Sequence, residues 1–159
     1  MPNNRENDPL LSIIIVNFQV ADLVVQSIHS IQEANLANQT EIIVVDNASE
    51  DNSYEVITTN CPEAIWVPLK TNIGFGKGNN VGVKYARGEY ILFLNPDTLI
   101  SSDTLISSIN FMRENKDIGI LGPKILNPNG TFQASCRRSF PTPFNAFSYM
   151  FGLSSLFPK

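Results

Sequence analysis

Residues 89–98, Glu-Tyr-Ile-Leu-Phe-Leu-Asn-Pro-Asp-Thr, constrain the fold of this chain more than any other stretch. Five consecutive apolar residues at 90–94 are typical of a strand buried on both faces, as in a parallel sheet covered by helices. Pro96 has no N–H group and cannot continue a central strand, so we expect the strand to end near Asn95. Asp97 then follows the carboxyl end of a strand, where ligands bind in open α/β sheets. Because these residues are also turn formers, an ordinary turn stays open as an alternative.

The order of predicted elements indicates an α/β fold, with a mostly parallel, Rossmann-like sheet and helices on both faces. Strands are predicted at residues 11–16, 41–45, 64–67, 90–94 and 118–121. Helices are predicted at residues 20–34, 54–59 and 102–114, and another is predicted to run from the glycine-rich stretch at 72–80 to about residue 87. Gly88 is predicted to be a left-handed cap of that helix, and residues 127–130 the tip of a hairpin.

The composition limits the classes of protein that this chain can belong to. Its 159 residues suffice for one domain with a real core. A net charge of -4 argues against a nucleic-acid-binding surface. Cys61 and Cys136 have no metal-ligand spacing, and two free thiols fit a reducing cytosol. Residues 1–9 are polar and are expected to form a disordered lead-in, and no stretch has the roughly 18 apolar residues of a membrane helix.

Polar clusters follow three of the predicted strands: Asn17-Phe18-Gln19, Asp46-Asn47 and Asn95-Pro96-Asp97. In a doubly wound sheet these clusters would line one edge and form a ligand site. The dinucleotide fingerprint, the P-loop and the hydrolase elbow are all absent from the sequence. Carboxylates, amides and a glycine-rich stretch with Lys77 remain, and these groups suit a nucleoside diphosphate held together with a hard cation.

Four stretches extend this pattern and together resemble glycosyltransferase family two, most closely its rhamnosyltransferase-like branch, which builds bacterial surface polysaccharides. They are Val-Asp-Asn-Ala-Ser-Glu-Asp-Asn-Ser at 45–53, Asn-Ile-Gly-Phe-Gly-Lys-Gly-Asn-Asn-Val-Gly at 72–82, Gly-Glu-Tyr-Ile-Leu-Phe-Leu-Asn-Pro-Asp-Thr at 88–98, and Gly-Pro-Lys at 122–124 with Asn-Gly-Thr-Phe-Gln-Ala-Ser-Cys-Arg-Arg-Ser-Phe-Pro-Thr at 129–142. The resemblance covers about residues 10–143, which we expect to form the nucleotide-sugar-binding domain.

The resemblance implies the glycosyltransferase A-type fold, in which a nucleotide-binding half precedes an acceptor-binding half. In such enzymes the aspartate after the second strand contacts the nucleotide base, which points to Asp46. An Asp-x-Asp motif after the fourth strand holds Mg2+ or Mn2+ against the diphosphate. Its counterpart here is Asn95-Pro96-Asp97, which retains only the final aspartate, so Asp97 is the implied metal ligand.

Several further residues are predicted to lie near the nucleotide. The resemblance places Asn72, Gly74 and Lys77 near the base or the phosphates, and Asn17 joins them by its position after a strand. Phe18 is either a core residue or a stacking face for the base, and both alternatives stay open. Asp46 could also cap the following helix. Arg137 and Arg138 could face phosphates or form a solvated pair.

The resemblance implies inverting transfer of a sugar from a dTDP-, UDP- or GDP-sugar donor to a saccharide or lipid-linked acceptor. No motif for the catalytic base, which deprotonates the acceptor, occurs in the sequence, so we expect a C-terminally truncated domain. The apolar tail at 144–159 is expected to begin the acceptor half. A non-catalytic nucleotide-sugar-binding module stays open as the alternative. Two locations also stay open: the cytoplasm itself, and a peripheral position on the inner face of the membrane.

Overall fold

The computed structural model describes residues 8–34, 36, 39–133 and 136, in which strands and helices alternate along the chain. The strands are β1 (Leu11–Asn17), β2 (Thr40–Asp46), β3 (Ile65–Pro68) and β4 (Tyr90–Leu94). The helices are α1 (Ala21–Gln32), α2 (Ser53–Asn60), α3 (Phe75–Val83) and α4 (Ser102–Glu114). The chain divides into two compact units, one ending at Leu121 and the other beginning at Gly122.

The four strands form one parallel sheet in the order β3-β2-β1-β4. The central strand β1 is buried along its whole length, as its run of apolar residues predicts. The register aligns Asn17 of β1 with Asp46 of β2, and Asp46 with Pro68 of β3. The carboxyl ends of the strands therefore lie along one edge of the sheet. The predicted α/β fold with a parallel Rossmann-like sheet is confirmed.

Helices cover both faces of the sheet because the side chains of each strand alternate between the two faces. On one face, α1, α2 and α4 pack on a cluster that includes Ile13, Ile15 and Val44. On the other face, α3 packs on Ile14 and Val45 among others. A Cβ atom at Gly82 of α3 would lie 2.5 Å from Ile14 Cγ2, so this glycine permits the close approach of α3 to the sheet.

The prediction that residues 90–94 are buried on both faces is wrong. Ile91 is 41% exposed and Phe93 52% exposed, whereas Leu94 on the opposite face is buried. The reason is the position of β4 at the edge of the sheet. Helix α3 covers β1 and β2, and no described residue buries the same face of β4.

Of three further predictions of local structure, two are wrong and one is confirmed. Residues 118–121 are not a strand, and Ile120 is 93% exposed, since no described strand pairs with them. Gly88 is not a left-handed helix cap, because α3 already ends at Val83 and the described glycines with positive φ are Gly74 and Gly130. The hairpin tip is confirmed by the hydrogen bond from the Gly130 N–H group to the Asn127 carbonyl and by the antiparallel bridge from Leu126 to Phe132.

A polar cluster fastens the opposite edge of the sheet, where the strands begin. Glu41 of β2 accepts hydrogen bonds from the Ser12 hydroxyl at 2.6 Å and from the Arg87 guanidinium at 2.9 and 3.1 Å. The Arg87 backbone N–H donates to the same carboxylate at 2.6 Å. The Ser12 hydroxyl in turn accepts the Gly88 N–H at 2.8 Å. The cluster joins β1, β2 and the segment that leads into β4.

We predict that this cluster makes stability depend on pH. Burial raises the pKa of Glu41, but the hydrogen bonds from Ser12 and Arg87 outweigh burial and hold the pKa below the ordinary value of 4.5. A carboxyl with a lowered pKa stabilises the fold above its unfolded pKa, and the stabilisation is lost as the pH falls through the folded pKa. At pH 7, Glu41→Gln should lower the free energy of unfolding by about 2 kcal/mol, since hydrogen bonds to a charged group are lost.

Urea denaturation at several pH values checks this prediction. The difference between wild type and Glu41→Gln should be largest above pH 4.5 and should shrink toward pH 3. The exposed Glu114, changed to Gln, serves as the matched control and should show little difference at any pH. A Glu41→Gln difference that stays constant across this range would contradict the role given to the carboxylate.

Candidate functional site

The polar residues predicted to meet at the carboxyl edge of the sheet do lie there. Asn17 ends β1 and Asp46 ends β2, and the two are register partners. Asn72 and Gly74 follow β3, and Asn95 and Asp97 follow β4. Because the strands are parallel and in register, four separate chain segments contribute to one edge, and this edge is the candidate site.

Asp46 is almost completely buried, and its carboxylate is held by one side chain and one backbone N–H group at the same edge. The Asn17 amide donates to Asp46 Oδ1 at 2.8 Å, and the Ser49 N–H donates to Asp46 Oδ2 at 3.1 Å. Ser49 can fold back because Ala48 adopts a positive φ of 63°, an uncommon conformation for a residue with a side chain. Each carboxylate oxygen keeps a second lone pair for another donor. The carboxylate is thus fixed in orientation and still able to accept a hydrogen bond.

The structure corrects the predicted ligand contact of Asn17 and decides between the two alternatives for Phe18. The Asn17 side chain is fully buried and contacts Asp46 and Ser49, so it orients the carboxylate and is not free to contact a ligand itself. Phe18 is 44% exposed, so the alternative that placed it in the core is wrong.

An open surface cleft with a volume of about 560 Å³ lies beside Asp46. It is lined by Asp46, Ser49, Tyr54, Trp66 and Lys70, among others. The rings of Tyr54 and Trp66 meet edge to face, with centroids 5.7 Å apart. Apolar walls with a few convergent polar groups are typical of small-molecule sites. Sequence reasoning missed these aromatic residues, because Trp66 looks like a core strand residue and Tyr54 like an ordinary helix residue.

Asn47 belongs to one of the polar clusters noted in the sequence, where it has no role of its own. Its side chain is 3% exposed and connects the second strand to the segment after the third. The Asn47 amide donates to Asn72 Oδ1 at 2.8 Å, and Asn47 Oδ1 accepts the Ile73 N–H at 2.9 Å. Asn72 Oδ1 also accepts the Gly74 N–H at 2.9 Å. The buried side-chain amide of Asn47 therefore links the loop after β3 to the end of β2.

We predict that Asn47→Ala destabilises this loop. The change leaves the Ile73 N–H without its acceptor and removes one of the two donors to Asn72 Oδ1, so it should lower the free energy of unfolding by about 1–3 kcal/mol. Chemical denaturation measures this loss. Asn60→Ala is the control, because the Asn60 amide donates only to Val56 within α2 among the described contacts and is exposed. Equal unfolding midpoints for the two variants would contradict the connecting role of Asn47.

Most of the glycine-rich stretch is helical and not a loop. Gly74 precedes α3 with a φ of 84°, a left-handed conformation that favours glycine, whereas Gly76 and Gly78 lie within α3. Lys77 is exposed in the first turn of this helix. Backbone N–H groups at a helix N-terminus favour anions, and the lysine adds a positive charge at the same end.

Asp97 lies in a tight turn immediately after β4. The Thr98 N–H donates to the Asn95 carbonyl at 3.1 Å and closes the turn, with Pro96 and Asp97 at its centre. The turn alternative is therefore correct as local geometry, and it presents both Asn95 and Asp97 to solvent. The described residues contain no cluster of three or more acidic, His or Cys side chains suited to a metal ion. A single exposed carboxylate nevertheless fits Mg2+, which keeps several waters and shares its coordination sphere with phosphates.

The fold and this edge define an α/β domain whose candidate ligand site lies at the carboxyl ends of its strands. The family model for glycosyl transferase family 2 matches residues 12–155. The chain belongs to glycosyl transferase family 2. The resemblance noted in the sequence is confirmed at the level of the family.

Known relatives agree with this family. A poly(ribitol-phosphate) beta-glucosyltransferase of Bacillus spizizenii is 31% identical over 125 residues, which are 76% of this chain and 20% of that protein. The crystal structure of Staphylococcus aureus TarS 1–349 with UDP-GlcNAc matches with a TM-score of 0.61 at 26% identity, covering 67% of this chain and 32% of that one. A mannosyltransferase of Pyrobaculum calidifontis, in complex with GDP-Man and Mn2+, matches with a TM-score of 0.63 at 20% identity, covering 78% and 37%. The last similarity supports the fold alone.

The chain spans less than half the length of the curated relatives that it matches. In the part of the chain that the structure describes, no helix is long and apolar enough to cross a membrane. Arg137, Arg138, the apolar tail at 144–159 and most of the predicted lead-in lie outside the described residues.

Proposed function

We propose that this chain binds a nucleotide-sugar donor together with a divalent cation and supplies the donor half of a glycosyl transfer reaction. The observation that carries the proposal is the common edge of the sheet, where a fixed Asp46 and an exposed Asp97 flank the central strand β1. The complex of TarS with UDP-GlcNAc, in a protein of similar fold, supports a nucleotide sugar as the ligand.

Asp46 and the adjacent open cleft suit the nucleoside. The orientation of the carboxylate by Asn17 and Ser49 leaves lone pairs for a base N–H group or a ribose hydroxyl. Tyr54 and Trp66 supply an apolar wall with aromatic faces and edges. Phe18, exposed after β1, is proposed as a second stacking surface for the base.

The segment after β3 and the turn after β4 suit the diphosphate. Asn72, held by Asn47, is proposed to contact the nucleotide, and Gly74 and Lys77 lie where α3 presents its N-terminus. Asp97, with Asn95 beside it, would hold Mg2+ or Mn2+. The cation supplies electrostatic stabilisation of the charge on the departing nucleoside diphosphate.

The finer features of the reaction are part of the same proposal. We propose inverting transfer to a saccharide or lipid-linked acceptor in the synthesis of a bacterial surface polymer, on the family pattern and on relatives that glycosylate poly(ribitol-phosphate). The motif pattern favours the rhamnosyltransferase-like branch and hence a dTDP-sugar among the donors. The two free cysteines support a reducing compartment, and we propose a cytoplasmic location that includes a peripheral position at the inner face of the membrane.

Calorimetric titration with UDP-, GDP- and dTDP-sugars tests the proposal, with Mn2+ in one series and EDTA in the other. We expect one nucleotide class to bind, more tightly with Mn2+ than with EDTA. A folded chain that binds none of these donors would overturn the proposal. Assays of sugar transfer and of donor hydrolysis then separate a catalytic chain from a module that only binds the donor, which is the alternative raised by the sequence.

A further inference from the structure

The turn that carries Asp97 is fastened to helix α1 by two serines. Ser27 is fully buried, and its hydroxyl donates to the Thr98 carbonyl at 2.9 Å. The Ser30 hydroxyl accepts the Ile100 N–H at 3.0 Å and donates to the Ser27 carbonyl at 2.7 Å. Both contacts to the turn join residues that are 70 or more positions apart in the sequence.

These contacts fix the chain on the far side of Asp97. On the near side, Leu94 pairs with Ile15 of the central strand, and the Thr98 N–H closes the turn on Asn95. On the far side, the carbonyl of Thr98 and the N–H of Ile100 are both held by α1. Ile100 also packs against the same core as α1. The backbone around Asp97 is thus restrained in both directions while its carboxylate stays exposed.

A fixed backbone matters for Asp97 because it is the one carboxylate proposed to bind the cation. The described residues contain no group of three or more acidic, His or Cys side chains that could hold the ion without Asp97 in its place. A site is effective only when its groups are held close to the productive geometry by locked neighbours. A turn that could move by an ångström would present the carboxylate in many positions and weaken any coordination.

We propose that Ser27 and Ser30 are positioning residues for the metal–diphosphate site, acting through the backbone of the turn that bears Asp97. The inference rests on the proposed function, since it assumes that Asp97 binds a cation with a nucleotide. Neither serine touches the ligand. The two hydroxyls set the position of Asp97 relative to the end of β1.

A purely structural role makes a different prediction. If the hydroxyls only satisfy buried backbone groups, their removal lowers the stability of the whole domain and leaves the metal enhancement of nucleotide binding unchanged. If they position Asp97, the variants lose affinity in Mn2+ and keep it in EDTA, because binding without metal depends on Asp46 and the loop after β3.

The experiment compares Ser27→Ala, Ser30→Ala and Ser30→Thr with wild type, using UDP, GDP and dTDP as probes in Mn2+ and in EDTA. Thr40→Val is the matched control, because it deletes a hydroxyl that bonds locally to Leu36 at the opposite edge of the sheet. Each alanine variant should weaken Mn2+-dependent binding about three- to tenfold, the loss that one hydrogen bond can cause. Ser30→Thr retains the hydroxyl and should restore the affinity, and Thr40→Val should leave it unchanged.

Hydrogen exchange supplies a readout that needs no ligand. The Ile100 amide should be protected in wild type and in Ser30→Thr, and should exchange faster in Ser30→Ala. Unchanged protection, or an equal loss of affinity in Mn2+ and in EDTA, would overturn the inference and leave the proposed function intact. Failure of the wild type to bind any of the three nucleotides would instead overturn the proposed function, and the inference would fall with it.

Discussion

Asp97→Asn should abolish most of the metal-dependent binding of nucleoside diphosphates. Asn keeps the size and the turn preference of Asp, so the turn that is closed between Asn95 and Thr98 should be retained. What is lost is the negative charge, which a hard cation requires from its protein ligand. Changes in residues that only orient metal ligands already cost about 10- to 100-fold, so loss of the ligand itself should cost at least about tenfold.

The measurement is a titration with the best-binding nucleotide in Mn2+ and in EDTA. Affinity in EDTA should match the wild type, and the enhancement by Mn2+ should disappear. Asp117→Asn makes the same change in charge at another exposed position in a turn and should preserve the enhancement. Retention of the full Mn2+ effect in Asp97→Asn would show that the cation is held elsewhere.

Gly88→Ala should be among the most destabilising single changes in the domain. A Cβ atom at this position would lie 2.5 Å from the Ser12 backbone nitrogen, 2.7 Å from the Ser12 hydroxyl and 2.8 Å from the Leu11 carbonyl carbon. These are mostly backbone atoms of the buried central strand, which cannot move aside without disturbing two neighbouring strands. The clash also opposes the hydrogen bond from the Gly88 N–H to the Ser12 hydroxyl. We expect a loss of about 3 kcal/mol or more in the free energy of unfolding.

Urea denaturation with Gly119→Ala as the matched control tests this expectation. A Cβ atom at Gly119 would meet nothing within 4 Å, and its φ is not in the left-handed region. The control should therefore remain within about 0.5 kcal/mol of wild type. A Gly88→Ala variant as stable as this control would mean that the segment before β4 can move away from β1.

The sequence predicts the sheet well because a buried parallel strand must be a continuous apolar run. The short apolar runs around Ile14 and Val44 match this pattern, and the polar residue that ends each run predicts the edge of the candidate site. The same rule failed for β4, because Ile91 and Phe93 are as apolar as core residues and yet face solvent at an edge. Apolar composition shows that a strand can be buried, and it does not show whether another element covers it.

The supporting residues of the site were much harder to predict. The contacts that matter here join distant parts of the chain and are made by Asn47, Ser27 and Ser30. The pattern of neighbouring residues in the sequence does not predict such contacts. Gly88 was predicted to be a helix cap because it follows a helical pattern. In the structure, the absence of a side chain at Gly88 avoids a clash with the central strand. Motif residues could be found from one sequence, and the residues that hold them in place required the fold.

A crystal of this chain grown with Mn2+ and the best-binding nucleoside diphosphate tests the central claim most directly. Anomalous scattering locates the Mn2+ ion without any assumption about its ligands. We predict an anomalous peak within coordination distance of the Asp97 carboxylate, with phosphate oxygens of the nucleotide on the same ion and the base beside Asp46. A bound nucleotide whose ion lies away from Asp97, or whose base lies away from Asp46, would contradict the account.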